Sequence, residues 1–145
     1  SAASDVYKRQ QLKILTETID QLSKTEHPDL VIMVYEFELL KSYGFGLRIF
    51  ECLNCSKNLK KSSNYFSYTN GGFYCESCLG NVHSNEELVK FSVEDQIVFR
   101  SIERKKYDEI LSLDVNDLSI KKLSEMLKKS ISNVLGVQLK TSRFL

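Results

Sequence analysis

Residues 28–43 are apolar on nearly every side of a helical wheel: Leu30, Val31, Ile32, Met33, Val34, Tyr35, Phe37, Leu39 and Leu40 leave little room for polar positions. Such a segment predicts a central helix that its neighbours surround. Pro28 suits a first helical position, where its missing N–H costs nothing. Asp29 adds a favourable negative charge there, and Gly44 is placed for a left-handed stop. Glu36 and Glu38 interrupt the run and read as a narrow solvated edge, with a buried, partnered carboxylate as the alternative. Upstream, residues 11–24 predict a helix whose inward stripe is Leu12, Leu15, Ile19 and Leu22.

The period then changes. Tyr65-Phe66-Ser67-Tyr68 and Phe73-Tyr74-Cys75 are short aromatic, strand-like runs around Thr69-Asn70-Gly71-Gly72, whose Asn-Gly-Gly supplies the positive φ angles of a tight hairpin. Helical signals return with Ser84-Asn85-Glu86-Glu87, which has capping-box form, and with a second start at Ser92. From there Val93, Ile97 and Ile102 suggest a helix to about Lys105, and residues 107–113 a shorter helical piece. Ser119 is expected to cap a last long helix with an inward stripe of Ile120, Leu123, Leu127, Ile131 and Val134, ended by Gly136, with residues 137–145 as a tail. Residues 1–10 have no period and no initiator methionine. They read as a cloning or assembly scar on a chain that begins inside a longer protein. The expected fold class is mainly α: a helical bundle over 11–145, with a small ribbon built on a short β-hairpin inserted at about 50–83.

All four cysteines fall in two C-x-x-C pairs, Cys52 with Cys55 and Cys75 with Cys78, separated by nineteen residues. That spacing fits a four-thiolate zinc ribbon. Two disulfides, or idle or redox-active thiols, are the competing readings. No secretory leader is visible, and disulfides do not persist in reducing compartments. His83, five residues after Cys78, and His27 are not needed as ligands, because four sulfurs close a tetrahedral shell. A catalytic zinc keeps one position open, so this zinc would be structural. No nucleophile–base constellation, phosphate-cradling loop or H-E-x-x-H is present, and the expectation is a protein that is not an enzyme.

At 145 residues and a formal charge of +1, the chain has room for one domain, or one domain with a small satellite, and lacks the bulk basicity of a general polyanion binder. Any nucleic-acid site must be a local patch. The charge is uneven enough to allow one. From Ser119 onward, Lys121, Lys122, Lys128, Lys129, Lys140 and Arg143 oppose only Glu125, and Arg104-Lys105-Lys106 and Lys57, Lys60 and Lys61 form two further clusters. Phosphates held there would bind less tightly as salt rises. Tyr65, Phe66 and Tyr68 either stack on bases or form the ribbon's own small core. No apolar run is long enough to span a membrane.

Three stretches together resemble the C-terminal region of the bacterial recombination mediator family RecO. They are Phe37-Glu38-Leu39-Leu40-Lys41-Ser42-Tyr43-Gly44-Phe45-Gly46, the cysteine ribbon with Phe66-Ser67 and Gly71-Gly72, and the ending Leu135-Gly136-Val137-Gln138-Leu139-Lys140-Thr141-Ser142-Arg143-Phe144-Leu145. The ending departs from the family pattern by Thr141, and the family's N-terminal OB-fold has no counterpart here. The resemblance implies a cytoplasmic, nucleoid-associated mediator of recombinational DNA repair. It would bind single- and double-stranded DNA, anneal strands, dock the acidic tail of single-strand-binding protein, and work with RecR to load RecA. It implies no small-molecule substrate and no membrane. Lys140 and Arg143 match the family ending and are the first candidates for anion contact; Lys121, Lys122, Lys128 and Lys129 follow from charge alone. The competing functions are a zinc-ribbon interaction module without direct DNA contact, and a thiol-disulfide enzyme.

Overall fold

The chain is described from a computed structural model that covers residues 2–104, 107–112 and 114–142, the side chains of 135 and 137–142 excepted. Helix α2 (Pro28–Ser42) runs through its middle, as its apolar circumference requires. Leu30, Val31, Met33, Val34, Phe37 and Leu40 are buried, and α1, α3, α4 and α5 all pack on it. The helix stops in a Schellman turn. Gly44, at φ +80°, donates to the Lys41 carbonyl at 2.9 Å, and Phe45 donates to the Leu40 carbonyl at 2.9 Å. Glu36 does not lie on a solvated edge. It is 7% exposed, and its Oε1 has no hydrogen-bond partner among the described residues. Glu38 is half-buried, 3.4 Å from the Lys41 ammonium.

Helix α1 (Ala2–Lys24) begins well before residue 11 and is rotated away from the expected orientation. Ile14 and Thr18 face α2, while Leu12, Leu15, Ile19 and Leu22 are exposed. The rotation is fixed by Gln11, whose side-chain amide donates to Ser42 Oγ at 2.6 Å, and by Tyr7, whose ring lies 6.2 Å from that of Tyr43.

Between α2 and α3 lies a four-stranded sheet: β1 (Arg48–Cys52), β2 (Asn64–Ser67), β3 (Gly72–Tyr74) and β4 (Leu88–Phe91), in the order β1-β3-β2-β4. The β2–β3 hairpin is the expected one, with positive φ at Gly71 alone. Gly72 is required for a different reason. A Cβ there would meet the Arg48 carbonyl oxygen at 2.8 Å, because β1 runs parallel to β3 at that point. Strands β1 and β4 were not foreseen. Ser84 starts no helix; its segment turns instead into β4, which pairs antiparallel with β2.

Helix α3 (Val93–Glu103) does start at Ser92, whose Oγ accepts from the Asp95 N–H at 3.1 Å in a capping box. Its inward residues are Val98, Phe99 and Ile102, and Ile97 is exposed. After α4 (Tyr107–Ser112), helix α5 (Asp117–Ser142) is capped by Asn116 and not by Ser119: Asn116 Oδ1 accepts the Ser119 N–H at 2.8 Å. Gly136 does not end α5. Sheet and helices share one core. Phe66 and Phe73 sit 6.3 Å from Phe99 of α3, ring to ring, and Phe37 of α2 closes on Phe99 at 5.0 Å, with Leu123, Met126 and Leu127 of α5 beside them. Phe66 therefore belongs to the main core and not to a separate ribbon core. No described helix is long and apolar enough to cross a membrane.

Candidate metal centre and basic surface

The fold brings the four cysteines to one point. Cys52 ends β1 and Cys75 follows β3, so the parallel pairing of these strands sets both knuckles side by side. The four Sγ atoms lie within 4.8 Å of one another, and Cys55 and Cys75 are 4.0 Å apart. A tetrahedral ion about 2.3 Å from each sulfur sets sulfurs about 3.8 Å apart, so the cluster fits one with a slight contraction. The thiols are unbridged. Ser56, at φ +61°, turns the first knuckle so that its N–H reaches the Cys52 carbonyl at 2.9 Å. The Asn54 and Cys75 amides each point at Cys52 Sγ from 3.4 Å.

The electrostatics match that geometry. Burial works against a Cys52 thiolate, but the surrounding backbone N–H groups outweigh it and lower this thiol to about 6. Cys75 is pushed up to about 11, by burial and by hydrogen bonds with the Cys78 and Cys52 thiols. The cluster holds one negative charge readily and resists the next. A cation bound among the sulfurs removes that resistance. Leu53, Leu79, Val82 and Tyr74 form a small apolar cluster around it. His83 and His27 are not part of the cluster.

The candidate anion contacts on α5 separate. Lys122 bonds to Asp95 Oδ2 at 2.9 Å and lies 4.6 Å over the Phe91 ring. Burial raises the Asp95 carboxyl, but hydrogen bonds from Lys122, Ser119 and the Ser92 backbone outweigh it and hold the group below its ordinary range. Lys129 bonds both oxygens of Glu87 and lies 4.1 Å over Tyr68. Lys121 and Lys128 sit on another face, in a groove they share with Asp29, Asp117 and Glu125, where acids outnumber bases. The Lys140 side chain and Arg143 lie outside the described residues, as do Lys105 and Lys106.

Two features were missed. One is a cleft of about 330 Å³ between the exit of α2, the hairpin turn and α5, with Phe45, Leu47, Tyr68 and Val134 as apolar walls and Arg48 as its cation. The Oγ of Ser130, which also lines it, is buried without a hydrogen-bond partner among the described residues. The other is Arg100 with Arg104, both stacked on Phe50 of β1. Their four-residue spacing on a helix was visible in the sequence, but Phe50 gave no signal until β1 was known.

Against known proteins, the family model described as "Recombination protein O C terminal" matches residues 7–143. A DNA repair protein RecO of Dehalococcoides mccartyi is 28% identical over 123 residues, covering 85% of this chain and 47% of the relative. Another RecO, of Roseiflexus sp., is 34% identical over 67 residues, or 46% of this chain and 24% of that relative. No solved structure matches. The chain spans about half the length, or less, of these relatives. With the family model covering α2, the cysteine sheet and α5 in one match, the chain belongs to the RecO family, in the part that the family describes as its C-terminal region.

Proposed function

We propose that this chain is the helical half of a DNA-repair mediator that works by binding and not by catalysis. The family match across residues 7–143 carries the reading. In it, Cys52, Cys55, Cys75 and Cys78 hold a structural zinc, which pins the two knuckles at the end of a sheet that packs into the main core. The basic surface contacts single- and double-stranded DNA. The protein docks RecR and the acidic tail of single-strand-binding protein, anneals strands and helps load RecA, in the bacterial cytoplasm. The cleft beside Ser130, apolar with Arg48 at its rim, is the candidate seat for the tail. One observation favours the rival reading, an interaction module without DNA contact: Lys122 and Lys129 already have carboxylate partners.

Titration of labelled DNA and of an acidic tail peptide with the purified chain, at several salt concentrations, separates the two. DNA binding that weakens as salt rises supports the mediator. Lys140→Glu with Arg143→Glu is expected to weaken DNA or peptide binding without changing the helical circular dichroism. Elemental analysis is expected to find about one zinc per chain. Peptide binding without DNA binding leaves the interaction module.

A further inference from the structure

Arg100 and Arg104 form a cationic pair with no ion-pair partner among the described residues. Their guanidinium carbons lie 5.9 and 4.9 Å from the centroid of the same ring, Phe50. Arg100 is half-buried, and its Nε reaches the Ile49 carbonyl at 3.4 Å. No carboxylate among the described residues forms an ion pair with either arginine. The acids that adjoin Arg104 and Phe50 in sequence are engaged elsewhere: Glu103 with Lys41 at 2.7 Å, and Glu51 with Arg48 at 3.6 Å. Holding two like charges against one ring is unfavourable, and the Arg100 guanidinium is drawn below its ordinary value first by burial and then by the charge of Arg104. An anion between the two would offset both costs.

The surroundings extend the site in one direction. Leu59 donates its N–H to the Phe50 carbonyl at 2.9 Å, so the chain leaving the first knuckle runs along the free edge of β1 and continues directly into Lys60 and Lys61. On the same helix as Arg100, Gln96 donates to the Ser62 carbonyl at 2.9 Å and fixes α3 against this segment. Phe50 thus lies between the arginine pair of α3 and the edge that leads to two lysines. That is the layout of a track for repeating phosphates, with planar guanidinium groups suited to bidentate phosphate contacts.

We propose that Arg100 and Arg104, seated on Phe50, are a phosphodiester-binding site for single-stranded nucleic acid. The proposal rests on the DNA-binding reading above and adds an anion contact at the junction of α3 and β1. The arginine stems shield Phe50 in any case; the charges at their ends are what the proposal assigns to phosphate.

The test measures affinity of the 145-residue chain for a labelled single-stranded oligonucleotide across a salt series. It compares wild type with Arg100→Gln plus Arg104→Gln, which keeps the stems on the ring. Lys8→Gln plus Lys13→Gln, two exposed positions on α1, makes the same charge change elsewhere. Affinity of the arginine variant is expected to fall roughly tenfold. Its log–log salt slope should drop by about 0.7 for each lost phosphate contact, while the lysine variant stays near wild type. Thermal melting should be unchanged or improved, because a repelling pair is relieved. Should the double variant fail to fold, exposed Arg104→Gln alone carries the test through the slope. Wild-type binding with the arginine variant within twofold, or an equal loss in the lysine variant, overturns the site. Loss of acidic-peptide binding with DNA binding intact overturns nucleic acid as its ligand. No DNA binding by wild type sinks the mediator's DNA contact and this site with it.

Discussion

Glu36 is poorly accommodated in this structure. It sits on the central helix, 7% exposed, with a carboxylate oxygen that no described residue bonds. Burial raises its carboxyl above the ordinary value of 4.5, and the positive charge of Lys128 only partly opposes this. A carboxylate with a raised folded value binds its proton more tightly folded than unfolded. Its contribution to stability is therefore present at low pH and is lost as pH rises from about 4.5 through the raised value. Glu36→Gln keeps the shape and removes the charge. It is expected to stabilise the protein near pH 7.5 by about 1 kcal/mol, or roughly 3 °C in Tm. The gain should shrink toward pH 4. Tm profiles of both proteins against pH check this, and a wild type that melts higher at neutral pH would show that Glu36 has a partner in solution. In the sequence, Glu36 and Glu38 looked alike. Only the fold separates a carboxylate facing α5 from one beside Lys41.

At the scale of elements, what was legible is what local chemistry dictates. The central helix shows in its apolar circumference, its stop in Gly44, the start of α3 in Ser92, and the hairpin in Gly71. The cysteine centre was legible for the same reason, since its spacing is a local property. Elements fixed by distant partners were not. Strand β1 exists through β3 and β4 through β2, so neither segment had a signal of its own. The Ser84 box is overridden because its acids are used elsewhere. Glu86 accepts from Ser67, Asn70 and Tyr74, and Glu87 holds Lys129. The same logic blurs the basic face, because a lysine is free only if folding brings no carboxylate to it. Helix α1 carries two apolar arcs, and the denser one is not the one that packs. Ile14→Ala is therefore expected to cost about 2 kcal/mol, whereas Leu15→Ala stays within about 0.5 kcal/mol. Urea melts monitored by circular dichroism rank the two, and the opposite order would refute this rotation of α1.

For the whole molecule, the sequence suggested a small ribbon inserted in a helical bundle, one that loosens when the metal is removed while the helices persist. The structure joins them more closely. Phe66, Phe73 and Phe91 of the sheet and Phe37 and Phe99 of the helices are all fully buried in one cluster. Gln96 of α3 ties the sheet down further, accepting from Asn64 at 2.6 Å and donating to the Phe91 carbonyl at 3.1 Å. None of these contacts involves the thiols, whose apolar surroundings are a separate, smaller cluster at the far end of the strands. Metal loss should then fray the two knuckles without releasing the sheet, and the sheet and helices should still unfold together. A metal bound well above its dissociation constant stabilises by about 4 kcal/mol, so a chelator is expected to lower Tm by about 10 °C. Calorimetry should find one transition before and after chelation, because burying five phenylalanines jointly couples the layers more strongly than the ion does. Two separated transitions after chelation, or in Cys75→Ser, would mean that the ion and not the aromatic core holds the sheet to the helices.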